Sequence, residues 1–291
     1  MIEYIEGNIF NSPAQVIVNT VNTVGVMGKG LALSFKKRYP KMFEAYKRAC
    51  DKHQLTIGKL MLYYAPDHWI LMFPTKENWR NPSKLEYLEA GLNKFVNTYA
   101  EKGITSIAFP KLGCGNGELS WNDVKPVMEK YLKQLPITVY IYVGMDATQT
   151  PEHRAQEETM EWLRKNARDM SFTGLCDDLK HSTTLLPRQF TVDDTNYSVT
   201  WNSGVIFTKD AQPIGTISED DLFRLWDLLR VNGIVSSAES NELHSLFYHL
   251  LNHMGYLSPV RILNQQGEFV QNGYQVHEGY GRVFELRSDS V

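Results

Sequence analysis

No run of apolar residues in this chain is long enough to cross a bilayer, which argues against helical membrane insertion. The opening MIEYIEGNIF has neither a basic segment nor an apolar core of the kind a secretory leader needs, so export is not expected. Cysteine is scarce. Cys50, Cys114 and Cys176 form an odd set without metal-ligand spacing, so neither a disulfide frame nor a metal site is predicted, and a reducing cytoplasmic setting fits best. Internal repeats and low-complexity tracts are missing too. What remains is an ordinary globular composition, 43% hydrophobic and 22% charged over 291 residues, at a length that predicts two domains.

The two halves differ in charge. Residues 1–150 carry 18 Lys and Arg against 13 Asp and Glu, and residues 151–291 carry 12 against 20. The basic half suits a phosphate-bearing ligand or nucleic acid; the acidic half suits a basic protein partner and opposes phosphate binding.

Within residues 1–150, short apolar runs alternate with amphipathic helices. Strands are predicted at 2–5, 16–19, 60–64, 69–73, 106–109 and 138–143. Leu85, Leu88, Leu92, Phe95 and Tyr99 recur at helical spacing, and Ser120 with Asp123 caps a helix carrying Val124, Val127, Met128, Tyr131 and Leu132. This alternation predicts an α/β domain with a mainly parallel sheet and helices on both faces. Residues 151–170 read as a linker or charged helix, and 171–291 as a smaller α+β domain. That domain is expected to hold strands at 190–192, 197–201 and 205–208 and two helices, one capped by Ser218 and Asp221, the other ended by Gly255. A tail of two or three strands, punctuated by Gly267, Gly273 and Gly281, completes it.

Two glycine-rich loops stand out. Residues 19–35, NTVNTVGVMGKGLALSF, and 109–121, FPKLGCGNGELSW, each follow a strand and open into a helix. Unpaired N–H groups at a helix start, approached past glycines, form a cradle for a diphosphate, and ligands of such sheets bind beyond the carboxyl ends of the strands. The amides of Asn19 and Asn22 can address a sugar edge.

Together with GNIF at 7–10 and FPTK at 73–76, these loops make the first half similar to macrodomains, and more narrowly to the DarG-type DNA ADP-ribosyl glycohydrolase antitoxins of DarTG toxin–antitoxin systems. The resemblance implies a three-layer α/β/α fold with a mixed, mainly parallel sheet and an ADP-ribose pocket. It also implies an activity, removal of ADP-ribose from thymidine in single-stranded DNA, needing no cofactor, and a DarT-type toxin as partner, held through residues 171–291. A binding module without hydrolase activity is the alternative. No motif of residues 148–291 takes part in the resemblance.

Carried over residue by residue, the resemblance implies ADP-ribose contacts from Asn8, Ile9, Asn19, Thr20, Asn22, Gly28, Lys29, Gly30, Leu31 and Thr75 on one side. Gly113, Cys114, Gly115, Asn116 and Gly117 would close over the diphosphate from the other. Asn8 stands where many macrodomains place an aspartate, so its amide would meet adenine without charge assistance. Lys76 is the implied catalytic residue, as an ammonium that protonates or stabilises the departing base or as an amine that attacks the anomeric carbon. A lysine after a strand is otherwise a solvated surface charge. Related deribosylating macrodomains carry an aspartate where this chain has Gly117, so either the reaction runs without that carboxylate, the preferred reading, or the adjacent Glu118 replaces it.

Trp79, Arg80 and Lys84, with Lys36, Lys37, Arg38 and Lys41, could stack a base and track phosphates, or be a loop anchor and a solvated helix end. His244, His249 and His253 share a helix but lack a convincing further ligand, so they read as ordinary histidines.

Overall fold

A computed structural model describes residues 1–144, 150–236 and 241–277. The chain divides into two compact units, Met1–Thr159 and Met160–Val291. The first unit therefore continues past residue 150 and takes in part of the stretch that reads as linker.

In the first unit, β1 (Ile2–Ile5), β2 (Val16–Val21), β3 (Met61–Tyr64), β4 (Trp69–Pro74), β5 (Ser106–Pro110) and β6 (Thr138–Tyr142) form one sheet in the order β1-β6-β5-β2-β4-β3. All pairs are parallel except β3 with β4, so the sheet is mixed. Helices α1 (Gly30–Arg38), α2 (Pro40–Asp51), α3 (Leu85–Thr98) and α4 (Trp121–Leu132) cover it.

Strand periodicity assigns each residue to a layer. Ile17, Ile70, Met72 and Ala108 pack with Phe35, Tyr39, Met42, Phe43 and Tyr46 of α1 and α2 and the turn between them. Their neighbours Val16, Val18, Leu71, Phe73, Ile107 and Phe109 pack with Leu88, Leu92 and Phe95 of α3 and with Val124, Met128 and Leu132 of α4. The result is the three-layer α/β/α sandwich that a sheet buried on both faces requires.

The second unit has two small sheets. β7 (Arg188–Val192), β8 (Thr195–Trp201), β9 (Gly204–Lys209) and β10 (Gln212–Ser218) form an antiparallel meander; β11 (Ile234–Ser236), β13 (Phe269–Val276) and β12 (Leu257–Leu263) form the other, with β13 central. Helix α5 (Gln156–Lys165) carries the division between the units, and α6 (Phe172–Ser182), α7 (Glu219–Asn232) and α8 (Glu242–Met254) complete the α+β set. Ser218 caps α7, and Gly255 at φ 88° ends α8. Strand β10, which Pro213 and Gly215 disguise in the sequence, adds to the three strands read there. Gly281 lies outside the described residues.

A buried polar cluster holds this unit together. Arg164 donates to both carboxylate oxygens of Asp178, at 2.9 and 3.0 Å, and the Tyr256 hydroxyl donates to Asp178 at 2.7 Å. Asp178 is 1% exposed, so removing its carboxylate strands a half-buried guanidinium. Asp178→Ala is expected to cost about 3–5 kcal/mol, read as a lower urea midpoint of the second unit. In the first unit, a Cβ on Gly91 of α3 would run into the ring of Phe73 on β4. Gly91→Ala should cost about 1–3 kcal/mol through that clash, visible as a lower Tm in a thermal melt.

Candidate functional site

The site begins with strand register. β2 and β4 pair from Val16 with Trp69 to Val21 with Pro74, so both chains leave the sheet side by side. The bond from Thr75 N–H to Val21 O continues the pairing, and Thr23 donates through its N–H and its hydroxyl to Glu77 O. The first glycine-rich loop is thereby fixed against the segment that carries Lys76.

Asn22 shapes that loop from within. Its Nδ2 donates to Val26 O at 2.7 Å, and its Oδ1 accepts from Val24 N–H, Val26 N–H and the buried Tyr46 hydroxyl. The side chain predicted to touch ligand thus also braces the loop, with one Nδ2 hydrogen outside these bonds. Asn19 is buried at the end of β2, with its Oδ1 unpartnered within the protein. Thr20 is half-buried and Thr75 buried beside it. Gly28 and Lys29 are buried, and α1 starts at Gly30 with no side-chain cap, which leaves first-turn N–H groups for an anion. Leu31 follows, half-buried, in that first turn.

The second loop meets the first. Gly30, at φ 56°, lies so close to Asn116 that an added Cβ would sit 2.8 Å from its Nδ2. Gly113, at φ 67°, turns the loop, and Leu119 N–H closes it on Gly113 O. Cys114 is half-buried and its thiol faces Leu112 O, while Gly115 is exposed. Ser83 Oγ and Asn116 Oδ1, like Asn19 Oδ1, are buried without a partner in the protein. Buried polar atoms of this kind mark places that take a bond from ligand or water.

Asn8 and Ile9 follow β1. Asn8 is exposed and its Oδ1 caps the short turn Ile9–Asn11 by accepting from Phe10 N–H, which uses one of the two acceptor sites of the oxygen expected to meet adenine. Ile9 is buried in the layer of α1 and α2.

Lys76 is 6% exposed, so it is no solvated surface charge. Burial lowers its pKa below the ordinary lysine value, while the Glu152 and Glu118 carboxylates pull the other way. Its Nζ lies 3.3 Å from His153 Nδ1, and His153 Nε2 lies 2.6 Å from Glu118 Oε2. Arg154 Nε holds the other oxygen, Oε1, at 2.6 Å. The His153 bond, helped by the Arg154 charge, keeps the Glu118 carboxyl below its usual range against the opposing effect of burial.

Residues 150–156 form a strap along this site. Lys29 Nζ donates to Thr150 O at 2.7 Å, the turn Glu152–Arg154 brings His153 to Lys76, and Gln156 Nε2 reaches Arg80 O at 3.4 Å. Sequence reasoning missed the strap. Its motif, PEHR at 151–154, has no periodicity and sits in a charged stretch; the lone histidine after a helix-breaking proline was the only signal.

Glu118 reaches His153 because its backbone is left-handed, φ 61°, an arrangement unusual outside glycine. At Gly117, where the resemblance leads one to expect aspartate, a Cβ would collide with Ser83 Oγ and Gly113 O. The acid in this loop therefore stands one residue later.

For Trp79 the structure favours the second of the two readings, a loop anchor. Trp79 is 1% exposed, with the Arg80 guanidinium 4.3 Å over its ring, so it anchors its loop and offers no face to a base. Among the basic residues of the first helix, Arg38 pairs with Asp67 at 3.0 Å and Lys36 lies over Phe43. His249 bonds the Tyr274 hydroxyl at 2.7 Å, and no group of three metal-ligating side chains is assembled among the described residues.

The family model described as the Macro domain matches residues 18–128. A DNA ADP-ribosyl glycohydrolase of Thermus aquaticus is 44% identical over 147 residues, 49% of this chain and 41% of that protein. The chain thus spans less than half the length of the curated relatives it matches first. The solved macrodomain of Mycobacterium tuberculosis DarG is 45% identical, with 50% of this chain and 99% of that one aligned at a TM-score of 0.49. A Thermosipho africanus DarTG structure in complex with ADP-ribose is 38% identical, covering 52% of this chain and 45% of that one, at a TM-score of 0.49. The Macro domain match takes in both glycine-rich loops, so the first unit of this chain carries a macrodomain over residues 18–128.

Proposed function

We propose that this protein is a DNA ADP-ribosyl glycohydrolase of the DarG type, an antitoxin that removes ADP-ribose from thymidine in single-stranded DNA. The observation that carries the reading is the placement of Lys76: a buried amine just beyond β4, between two glycine loops that meet at Gly30 and Asn116. The names of the relatives support it, since they describe glycohydrolysis of ADP-ribosylated DNA.

In this reading the diphosphate lies between the start of α1 and residues 113–117, held by backbone N–H groups, and the ribose C1″ comes to Lys76 Nζ. The glycosidic C–N bond breaks with its electron pair going to the base. Water supplies hydroxide to C1″ and a proton to the base, so no cofactor enters the balance. Burial lowers the basicity of Lys76, so its ammonium gives up a proton more readily than that of an exposed lysine, which supports the attacking role over the acid one.

The acidic second unit is the proposed binding surface for a DarT-type toxin. Its support is the charge surplus together with apolar side chains left exposed on α7, where Phe223 is 44%, Leu228 50% and Val231 67% exposed.

Wild type and Lys76→Ala, assayed on oligonucleotides bearing ADP-ribose on thymidine or on guanosine, test the first reading. Wild type should release free ADP-ribose from the thymidine substrate, and the variant should be slower by about 100-fold or more with ADP-ribose affinity kept. Turnover retained by Lys76→Ala removes the lysine, and stoichiometric binding by wild type without release leaves a binding module. For the second, the full chain should co-purify with a DarT-type toxin, and Leu228→Asp with Val231→Asp should lose the complex while melting at the wild-type temperature.

A further inference from the structure

We propose that His153, from the strap beyond the matched macrodomain residues, is the positioning residue for Lys76: clamped by Glu118, it orients the amine and takes up its proton. The inference rests on the glycohydrolase reading above.

Both ring nitrogens of His153 are committed, and its side chain is 8% exposed. Nε2 faces Glu118 Oε2 at 2.6 Å, and an ionised carboxylate only accepts, so Nε2 carries a hydrogen and donates it. In the neutral ring Nδ1 is then bare. It faces Lys76 Nζ at 3.3 Å, and an ammonium only donates. The chain Lys76 to His153 to Glu118 is therefore complementary at each step, with Glu118 itself fixed through its other oxygen by Arg154.

The same heavy-atom positions serve a second proton state. Moving one proton from Nζ to Nδ1 leaves a neutral amine with its lone pair and an imidazolium that still donates from Nε2 to Glu118. Nothing else has to move. The positive charge passes from a buried lysine to a ring in direct contact with a carboxylate, which is where low-dielectric surroundings favour it. Without such an acceptor, Glu152 and Glu118 would both act to hold the proton on Lys76.

The groups around the ring come from separate elements. Lys76 lies past β4, Glu118 in the second glycine loop, and Glu152 and Arg154 on the strap itself. The strap is pinned on either side of the histidine by the bonds of Lys29 to Thr150 O and of Gln156 to Arg80 O and His153 O. That pinning fixes the distance from ring to amine. A residue placed in this way acts through Lys76 and touches no atom of the substrate.

The test is single-turnover release of ADP-ribose from a thymidine-linked oligonucleotide between pH 5 and 9, with the full chain as wild type, His153→Gln and His153→Ala. Wild-type rates should rise with pH and then level, because Lys76, its basicity lowered by burial, acts as an amine. Both variants should be slower at pH 7, His153→Ala by about 100-fold, and their profiles should move to alkaline pH because the lysine must then shed its proton to solvent. ADP-ribose affinity should stay within about twofold, which separates positioning from a folding defect. His153→Gln keeps an acceptor for Nζ but cannot take the proton, so it should fall between the other two. Wild-type rates and profile in His153→Ala, or faster release as expected of a strap that merely blocks the site, overturn the proposal. Should wild type itself release nothing, the glycohydrolase reading fails separately. The ring 15N shifts of His153, assigned by loss of signal in His153→Gln, then decide: an Nε2–H tautomer with bare Nδ1 upholds the proposal, and an Nδ1–H tautomer overturns it.

Discussion

The parallel pairing of β2 with β4 is the constraint on which the site depends. Six consecutive partners, Val16 with Trp69 through Val21 with Pro74, set where both strands stop. A slip of one residue would turn Ile17, Ile70 and Met72 toward α3 and α4 and expose the opposite set to α1 and α2, reversing both cores at once. Because both faces are buried, that slip is prohibitively costly, and the register is fixed by packing far from the chemistry. Lys76 inherits its position from this. So does the first loop, whose Thr23 bonds Glu77 just beyond the lysine.

On this fixed edge the electrostatics become specific. An amine 6% exposed has little water to stabilise its charge, yet two carboxylates act on it in the opposite sense. Such a balance leaves the protonation of Lys76 sensitive to a single neighbour, and that neighbour is an imidazole, the side chain whose charge changes most readily near neutral pH. Perturbed basicity of this kind, set by burial and named charges, is a feature of functional sites.

The strands of the first unit and its helices α1, α3 and α4 were legible because their patterns are local. Alternation and capping signals at residues such as Ser120 and Leu85 depend on near neighbours, and the strands begin and end close to where they are read. Both glycine loops were legible for the same reason. What stayed hidden depends on three-dimensional crowding: whether Trp79 faces solvent, whether Asn22 has bonds to spare, and whether a Cβ fits at Gly117 are questions about residues distant in the chain. His153 was the hardest to see. It stands 77 residues from the lysine it meets, in a stretch with neither periodicity nor glycine. The β10 strand was obscured by a proline and a glycine that edge position and an irregular register tolerate.

The loop around Gly117 shows how the parts constrain one another. Ser83 N–H bonds Gly117 O at 3.0 Å, and Ser83 Oγ with Gly113 O fills the space a side chain at 117 would need. A carboxylate is thereby kept off position 117. At the next residue a left-handed backbone, costing roughly 1–2 kcal/mol, turns Glu118 toward the strap. Its bonds to His153 and Arg154 offset that strain and at the same time fasten the strap over the lysine. The carboxylate is therefore one histidine removed from the amine. In the proposed reaction that separation has a use: an acid in direct contact would hold the lysine as an ammonium, whereas an acid acting through an imidazole lets the proton leave and remain within reach.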